Sequence, residues 1–294
     1  MMLTIPFGQA EEHAAQQLIR LGISEDLGQE GDITSQAVIP QSLKGKATFV
    51  ARAPGVLSGT PIIQMVCSAI DPRLQLELLT ADSSVLQPEQ PIATMAGSMR
   101  SVLAVERMAL NFLQKLSGIA TQTSKYVEQV KETKCQVLDT RKTTPGWRVL
   151  EKYAVRCGGG QNHRMGLFDA IMIKDNHLAG LRHHGTPLAE AVKQARAAVG
   201  HKVIVEVEVE SIEQLNEALA AHPDVILLDN MKVDMLRQAV VIRNRTASQT
   251  RLEASGGITL ATLREVARAG VDCVSVGALT HSAPALDIAL DYQE

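Results

Sequence analysis

Short apolar runs in the second half of the chain are followed, one after another, by residues that bind or neutralise charge. Asp139-Thr140-Arg141-Lys142 follows one run, Lys174-Asp175-Asn176-His177 another, and Asp229-Asn230 a third. Two further runs end in glycine loops, Ser255-Gly256-Gly257-Ile258 and Val276-Gly277-Ala278-Leu279. Glycine lets backbone N–H groups approach phosphate oxygens, and a helix starting just beyond adds its positive dipole end, so these loops suit a phosphate. A tight turn that merely needs glycine is the other reading.

Two more segments carry charge in a pattern. Val203–Glu210 reads Val-Ile-Val-Glu-Val-Glu-Val-Glu. The strand period of two puts Glu206, Glu208 and Glu210 on one face, roughly 7 Å apart, and the valines on the other. If helices cover the valine face, the carboxylates point inward and require cations or hydrogen-bond donors; an edge strand with a wet glutamate face is the alternative. Arg156 to Arg164 runs through three glycines, Gly158, Gly159 and Gly160, before presenting adjacent His163 and Arg164, and a helix C-cap accounts for only one of those glycines. Together with Arg141, Lys142 and Lys174 this gathers positive charge in a protein of formal net charge −3, which implies a polyanionic substrate. His183-His184 has no third ligand near it and reads as solvated surface, while Trp147 reads as packing.

These residues need a scaffold, and the apolar runs supply it. Cys135–Leu138, Ala170–Ile173, Val203–Val209, Val225–Leu228, Arg251–Ala254 and Asp272–Val276 alternate with amphipathic stretches, the βα grammar of a parallel sheet covered by helices. In such folds ligands lie at the C-terminal strand ends, where the residues above fall. Thr186 before Pro187, and Ser211 with Gln214, read as helix starts. Six units fit an incomplete barrel or an open doubly wound sheet equally. Before residue 112 the texture changes to short strands between Gly- and Pro-rich loops, a smaller α/β domain joined to the rest by a helix over Ser101–Leu116. The expected division is 1–112, 113–280, and a C-terminal helix over 281–294 packing back on the first domain.

The helix over Ser101–Leu116 is apolar almost all round, which predicts burial, yet carries Glu106 and Arg107 with no opposite charge three or four residues away. A buried guanidinium requires an anion from elsewhere, either in the same chain or in a neighbouring subunit's pocket. Composition agrees with an ordinary globular protein: 294 residues, 45% hydrophobic, 21% charged and 3% aromatic, which excludes a disordered chain and a strongly basic nucleic-acid binder. Cys67, Cys135, Cys157 and Cys273 form no CxxC pair, so a zinc or redox site is not expected and the thiols read as reduced. No leader-like N-terminus and no uncharged apolar span are seen, and a cytoplasmic protein without membrane contact is expected.

Longer motifs add a resemblance. "ERMALNFLQKLSGIAT" from Glu106, "DTRKTTPGWRVLEKYAVRCGGGQNHRMGLFDAIMIKDNH" from Asp139, "VEVEVES" from Val205, "LLDN" from Leu227, "EASGGI" from Glu253 and "VSVGALTHSAPALDIAL" from Val274 resemble the quinolinate phosphoribosyltransferases, as does "EDLGQEGDITS" from Glu25. The resemblance spans essentially the whole chain. It implies an N-terminal α/β sandwich, an open seven-stranded α/β barrel, and a homo-oligomer, either a dimer or a hexamer of dimers, in which Arg107 reaches the neighbouring subunit's site. It implies conversion of quinolinate and phosphoribosyl pyrophosphate, with Mg²⁺, to nicotinate mononucleotide, pyrophosphate and CO₂. Arg107, Arg141, His163, Arg164 and Lys174 would then hold the quinolinate carboxylates. Lys142, Glu208 and Asp229 would hold the ribose pyrophosphate and its metal. Ser255, Gly256, Gly257 and Gly277 would take the 5′-phosphate, with Thr140, Val276 and Ala278 beside the substrates. Lys142, Lys174, Glu208 and Asp229 are the catalytic candidates. Thr144 and Trp147 stand where the family usually carries an aliphatic residue.

Two rival readings keep parts of this pattern. A class I aldolase-like barrel would use Lys174 as a Schiff-base amine and the glycine loops for a sugar phosphate. A paralogue encoded with molybdate transporters would share the fold with a different ligand. The chain lacks the acidic pair and Thr-Gly phosphate loop of the Rossmann-like phosphoribosyltransferases, so phosphoribosyl transfer here belongs on a barrel.

Overall fold

The structure is a computed structural model and describes residues 5–182, 185–246 and 249–293; His183-His184 lies outside the described residues. In chain order the first elements are α1 (Gln9–Leu27), α2 (Ile33–Val38), β1 (Lys44–Ala51), β2 (Gly55–Val56), α3 (Thr60–Ile70), β3 (Gln75–Leu78), β4 (Val85–Leu86), β5 (Pro91–Ser98) and α4 (Met99–Val130). There follow β6 (Gln136–Leu138), α5 (Arg148–Cys157), β7 (Ile171–Ile173), α6 (Asp175–Arg182), α7 (Leu188–Val199), β8 (Val205–Val209) and α8 (Ile212–Leu219). The last are β9 (Val225–Asp229), α9 (Val233–Arg245), β10 (Arg251–Ser255), α10 (Leu260–Arg268), β11 (Cys273–Ser275), α11 (Ala278–His281) and β12 (Ile288–Gln293). Among the described residues no helix is long and apolar enough to cross a membrane.

The chain forms two compact units. The first takes the chain up to Ser124, Lys142–Gly159, and everything from Ala278 on; the second takes Lys125–Arg141 and Gly160–Gly277. This differs from a single cut after residue 112, because α4 runs unbroken through that point. It also differs because α5 joins the first unit through Tyr153 and Cys157, which pack with Val56 and Ala120.

In the first unit an antiparallel sheet runs in the order β12-β1-β5-β3. Its edge strand corrects the expected C-terminal helix over 281–294. Only Ala278–His281 is helical there, and Ile288–Gln293 pairs with β1 from Ala51↔Ile288 to Lys46↔Gln293. The apolar residues Leu286, Ile288 and Leu290 suit strand alternation, and the open edge of β1 decides between the two periods. On α4, Val102, Val105, Met108, Leu110, Phe112, Leu113 and Leu116 are buried as their spacing predicts, but Arg107 is exposed within the protomer. The premise of a buried Arg107 is therefore wrong for the single chain: its position falls between the buried rows.

The second unit holds a parallel sheet in the order β6-β11-β10-β9-β8-β7. The first strand of this unit pairs with its last, which is the curl of a barrel and not the order of a doubly wound sheet. Six strands form ladders, and the expected seventh is reduced to a parallel bridge between Leu138 and Gln161. Gln161 N–H donates to the Val137 carbonyl and Asp139 N–H to the Gln161 carbonyl. Among the described residues no ladder joins Gln161 to β7, so the barrel is open there. β8 is buried along its whole length, including Glu206 and Glu208, whereas Glu210 lies beyond the strand and is exposed. The inward glutamate row thus has two members, not three. Pro187 stands at the N-cap of α7, one place earlier than Thr186–Pro187 spacing predicts, while Ser211 caps α8 by accepting from Gln214 N–H at 3.3 Å.

Candidate active site

All six strands of the second unit are parallel, so their C-terminal ends share one edge. That edge carries Thr140 and Arg141 after β6, Lys174 after β7, Glu208 on β8, Asp229 at the end of β9, Ser255 to Gly257 after β10, and Val276 and Gly277 after β11. His163 and Arg164 join it just after the Gln161 bridge. Twelve of the expected site residues therefore lie in this unit; Arg107, Lys142 and Ala278 belong to the first.

Charge is paired locally. Lys174 Nζ lies 2.6 Å from Glu208 Oε2, a contact across neighbouring strands, and the Lys174 backbone N–H donates to His177 Nδ1 at 2.9 Å, fixing the start of α6. Arg164 is held by a bond from its guanidinium to the Ala170 carbonyl at 3.2 Å. Burial foremost, and then the charge of Arg141, push the Arg164 guanidinium below its usual range, while Glu206 opposes that shift. Asp229 accepts from the Asn230 side chain at 2.7 Å.

The glycine loop after β10 has the backbone that only glycine accepts readily. Gly256 and Gly257 have φ of 88° and 61°, and a Cβ on Gly256 would stand 2.2 Å from Asn230 Oδ1 and 2.9 Å from Asn230 N. Asn230 itself has φ of 53° and donates its N–H to the Ser255 carbonyl at 2.9 Å. Ser255, Gly256, Gly257 and Lys232 line a cavity of about 180 Å³. α10 starts directly after the loop, capped by Thr259 and Thr262. Ser275 and Ser255 hydroxyls meet at 3.0 Å, and Val276 N–H donates to the Leu138 carbonyl at 3.0 Å, which ties the second glycine loop to β6.

In the first unit the Lys142 carbonyl accepts from the Thr280 hydroxyl at 2.7 Å, so the chain just after Ala278 steadies Lys142. The next residues are pinned as well. Thr144 N–H donates to the buried Glu151 carboxylate at 3.1 Å, and Trp147 stacks on Phe112 at 5.0 Å with Lys115 over its ring. Thr144 and Trp147, the departures from the family pattern, thus fasten this loop. Arg107 lines a shallow cavity of about 230 Å³ with Asp26 and Asp32. Its guanidinium makes no ion pair or hydrogen bond among the described residues.

One buried acid of the strand-end charges anchors the loop of His163, and a second escaped the sequence reading. Asp139 is fully buried and accepts from the His163 N–H at 2.9 Å and the Asn162 side chain at 2.6 Å. Glu253 is buried on β10, its Oε2 3.6 Å from His163 Nε2, whose nearer partner is Glu206 Oε2 at 3.0 Å. Burial first, and then the charge of Glu206, push the Glu253 carboxyl up to about 7, with His163 pulling the other way. Strand alternation from Ser255 back to Glu253 was the signal that would have found it. The ring of His163 is engaged by protein at both nitrogens, since Nδ1 accepts from the Arg164 N–H at 2.7 Å. All four cysteines are free and buried.

An open α/β barrel with cations, carboxylates and glycine loops at its C-terminal strand ends, in a chain that also holds a separate antiparallel unit, defines an enzyme built for anionic and phosphorylated substrates. Family models match both parts: "Quinolinate phosphoribosyl transferase, N-terminal domain" over residues 32–117 and "Quinolinate phosphoribosyl transferase, C-terminal domain" over 119–291. The chain belongs to the quinolinate phosphoribosyl transferase family. It is 45% identical over 267 residues to a probable nicotinate-nucleotide pyrophosphorylase [carboxylating] of Bacillus subtilis, covering 91% of this chain and 89% of that one. It is 42% identical over 283 residues to the nicotinate-nucleotide pyrophosphorylase [carboxylating] of Mycobacterium leprae, covering 96% and 98%. The solved nicotinate-nucleotide pyrophosphorylase of Francisella tularensis superposes with a TM-score of 0.91 at 37% identity, over the full length of both chains.

Proposed function

We propose that this protein transfers a phosphoribosyl group from phosphoribosyl pyrophosphate to quinolinate and releases CO₂, forming nicotinate mononucleotide for NAD synthesis. The observation that carries the reading is the gathering of Arg141, Arg164 and the Lys174–Glu208 ion pair on one edge of the parallel sheet. A single ring carboxylate does not call for two guanidiniums and an ammonium; the dianion quinolinate does.

The quinolinate nitrogen attacks ribose C1, the C1–O bond breaks, and pyrophosphate leaves with its electrons. Glu208 and Asp229 lie where negative charge offsets the positive charge that develops at C1. Lys142 and Lys174 neutralise the diphosphate and a carboxylate, and Ser255, Gly256, Gly257 and Gly277 receive the 5′-phosphate, with Thr140, Val276 and Ala278 beside them. The alkylated ring nitrogen then serves as an electron sink: the bond to the adjacent carboxylate breaks, CO₂ departs, and the ring carbon takes up a proton. Orientation and exclusion of water suffice for that step.

Glu208 and Asp229, on neighbouring strands, offer the hard oxygen donors that would hold Mg²⁺. When bound, Mg²⁺ supplies neutralisation of the leaving group's charge. Arg107, exposed and without a partner for its guanidinium among the described residues, completes the pocket of a neighbouring copy in a homo-oligomer. The four free thiols suit the reducing cytoplasm.

The aldolase reading fares poorly, because a Schiff-base amine needs a free lone pair and Lys174 is clasped as an ammonium by Glu208 at 2.6 Å. Incubation of purified protein with Mg²⁺, quinolinate and phosphoribosyl pyrophosphate should yield nicotinate mononucleotide. No product, or a reductively trapped adduct on Lys174, would overturn the reading.

A further inference from the structure

Glu151, near the start of α5, is a fully buried carboxylate of the first unit, and no step of the transfer uses it. Its Oε2 accepts the Thr144 N–H at 3.1 Å, and its Oε1 lies 3.0 Å from Lys115 Nζ on α4. Glu151 does not cap its own helix. Trp147 is the N-cap of α5 and donates its N–H to the Thr144 carbonyl at 3.0 Å, and Glu151 reaches past it to the turn before. Thr144-Pro145-Gly146-Trp147 has proline second and glycine third, with Gly146 at φ of 82°, the pattern of a type II turn. Lys115 Nζ also donates to Thr144 Oγ1 at 3.3 Å and lies 5.4 Å from the centroid of the Trp147 ring. Arg148 Nε donates to Thr143 Oγ1 at 2.9 Å. The helix beneath this turn is a fixed base, because Tyr153 OH donates to Asp82 at 2.7 Å and Arg156 to Glu11 at 2.8 Å.

We propose that Glu151 is a positioning residue for Lys142: by holding the Thr144 peptide it presets the backbone that presents the Lys142 ammonium to the diphosphate of phosphoribosyl pyrophosphate. The inference rests on the proposed function for the identity of that ligand. Lys142 is tethered at its own carbonyl, which accepts from Thr280 Oγ1 at 2.7 Å, and the turn held by Glu151 begins just beyond it. With the backbone already ordered, the diphosphate has less chain freedom to remove when it binds. Burying a carboxylate costs stability that an apolar side chain of similar size would not. Its place here follows from the two donors it joins, a main-chain N–H of the turn and an ammonium from α4.

Two variants separate positioning from support of the fold. Glu151→Met keeps the side-chain length and removes the acceptor, whereas Glu151→Gln restores an acceptor for the Thr144 N–H without the charge. Positioning predicts that Glu151→Met raises the KM for phosphoribosyl pyrophosphate by about tenfold and that Glu151→Gln recovers about threefold or more of that loss, with the KM for quinolinate within about twofold of wild type in both. Equal losses for both substrates, or no recovery with glutamine, overturn the proposal, because a residue that only steadies the fold favours neither substrate. Amide hydrogen exchange of the wild-type protein tests the same claim without any variant. The segment 143–148 should exchange slowly before ligand is added and change little at saturating phosphoribosyl pyrophosphate. Free exchange without ligand, with protection that appears only on binding, overturns the proposal. Failure of phosphoribosyl pyrophosphate to bind wild-type protein in calorimetry would instead overturn the functional reading, and exchange in the unliganded turn would still decide whether it is preset.

Discussion

Lys174 Nζ and Glu208 Oε2 stand 2.6 Å apart, joining the ends of adjacent parallel strands β7 and β8 by an ion pair. The Glu208 side chain is 9% exposed and that of Lys174 41%, so the pair borders solvent where an anionic substrate arrives. Substrate and lysine must share that carboxylate's neighbourhood. Lys174→Met should lower kcat/KM by about 100-fold or more and cost roughly 1–3 kcal/mol of stability, since buried Glu208 loses its cation. Steady-state kinetics and a urea melt check both halves, and borohydride should trap nothing on Lys174.

Of the glutamates in the VEVEVE run, Glu208 should matter most to turnover. Glu206 is occupied beneath His163, and Glu210 is exposed beyond the strand. Glu208→Gln should reduce kcat by about 100-fold and weaken the dependence on Mg²⁺, with Glu210→Gln within about twofold of wild type. Titration of activity with Mg²⁺ after chelation measures this. Near-normal turnover of Glu208→Gln would place the key carboxylate elsewhere.

Gly256→Ala should damage both stability and phosphate binding. A methyl group meets Asn230 Oδ1 at 2.2 Å in a backbone with φ of 88°, so roughly 1–3 kcal/mol is lost and the loop must shift. The expected readout is a lower melting temperature and a raised KM for phosphoribosyl pyrophosphate, with quinolinate affinity less affected.

Arg107 makes its own test. Mixed under conditions of verified subunit exchange, inactive Arg107→Ala and inactive Arg141→Ala should regain part of the activity, because one composite site in the hybrid is intact. A folded, oligomeric pair that regains nothing would place Arg107 in its own chain's site.

Much of this was readable from local pattern. The βα grammar, the strand-end charges and the glycine loops follow from periodicity and backbone chemistry, which neighbours in sequence determine. What failed depends on partners far along the chain. Ile288–Gln293 became a strand because β1 had an open edge, and α5 joined the first unit because Tyr153 and Cys157 meet Val56 and Ala120. Glu253 was passed over because a lone acid in a short strand looks solvated until His163, ninety residues earlier, closes over it. Arg107 was expected to be buried because an apolar helix suggests burial all round, while the structure leaves one row open.

The central claim is that the site is built for a dianionic ring acid whose second carboxylate leaves as CO₂. Turnover of quinolinate labelled in the carboxylate next to the ring nitrogen tests it most directly, with nicotinate offered in parallel. One labelled CO₂ should appear for each nicotinate mononucleotide, with no product from nicotinate. Product formation from nicotinate at an equal rate, or a mononucleotide that retains the label, would contradict it.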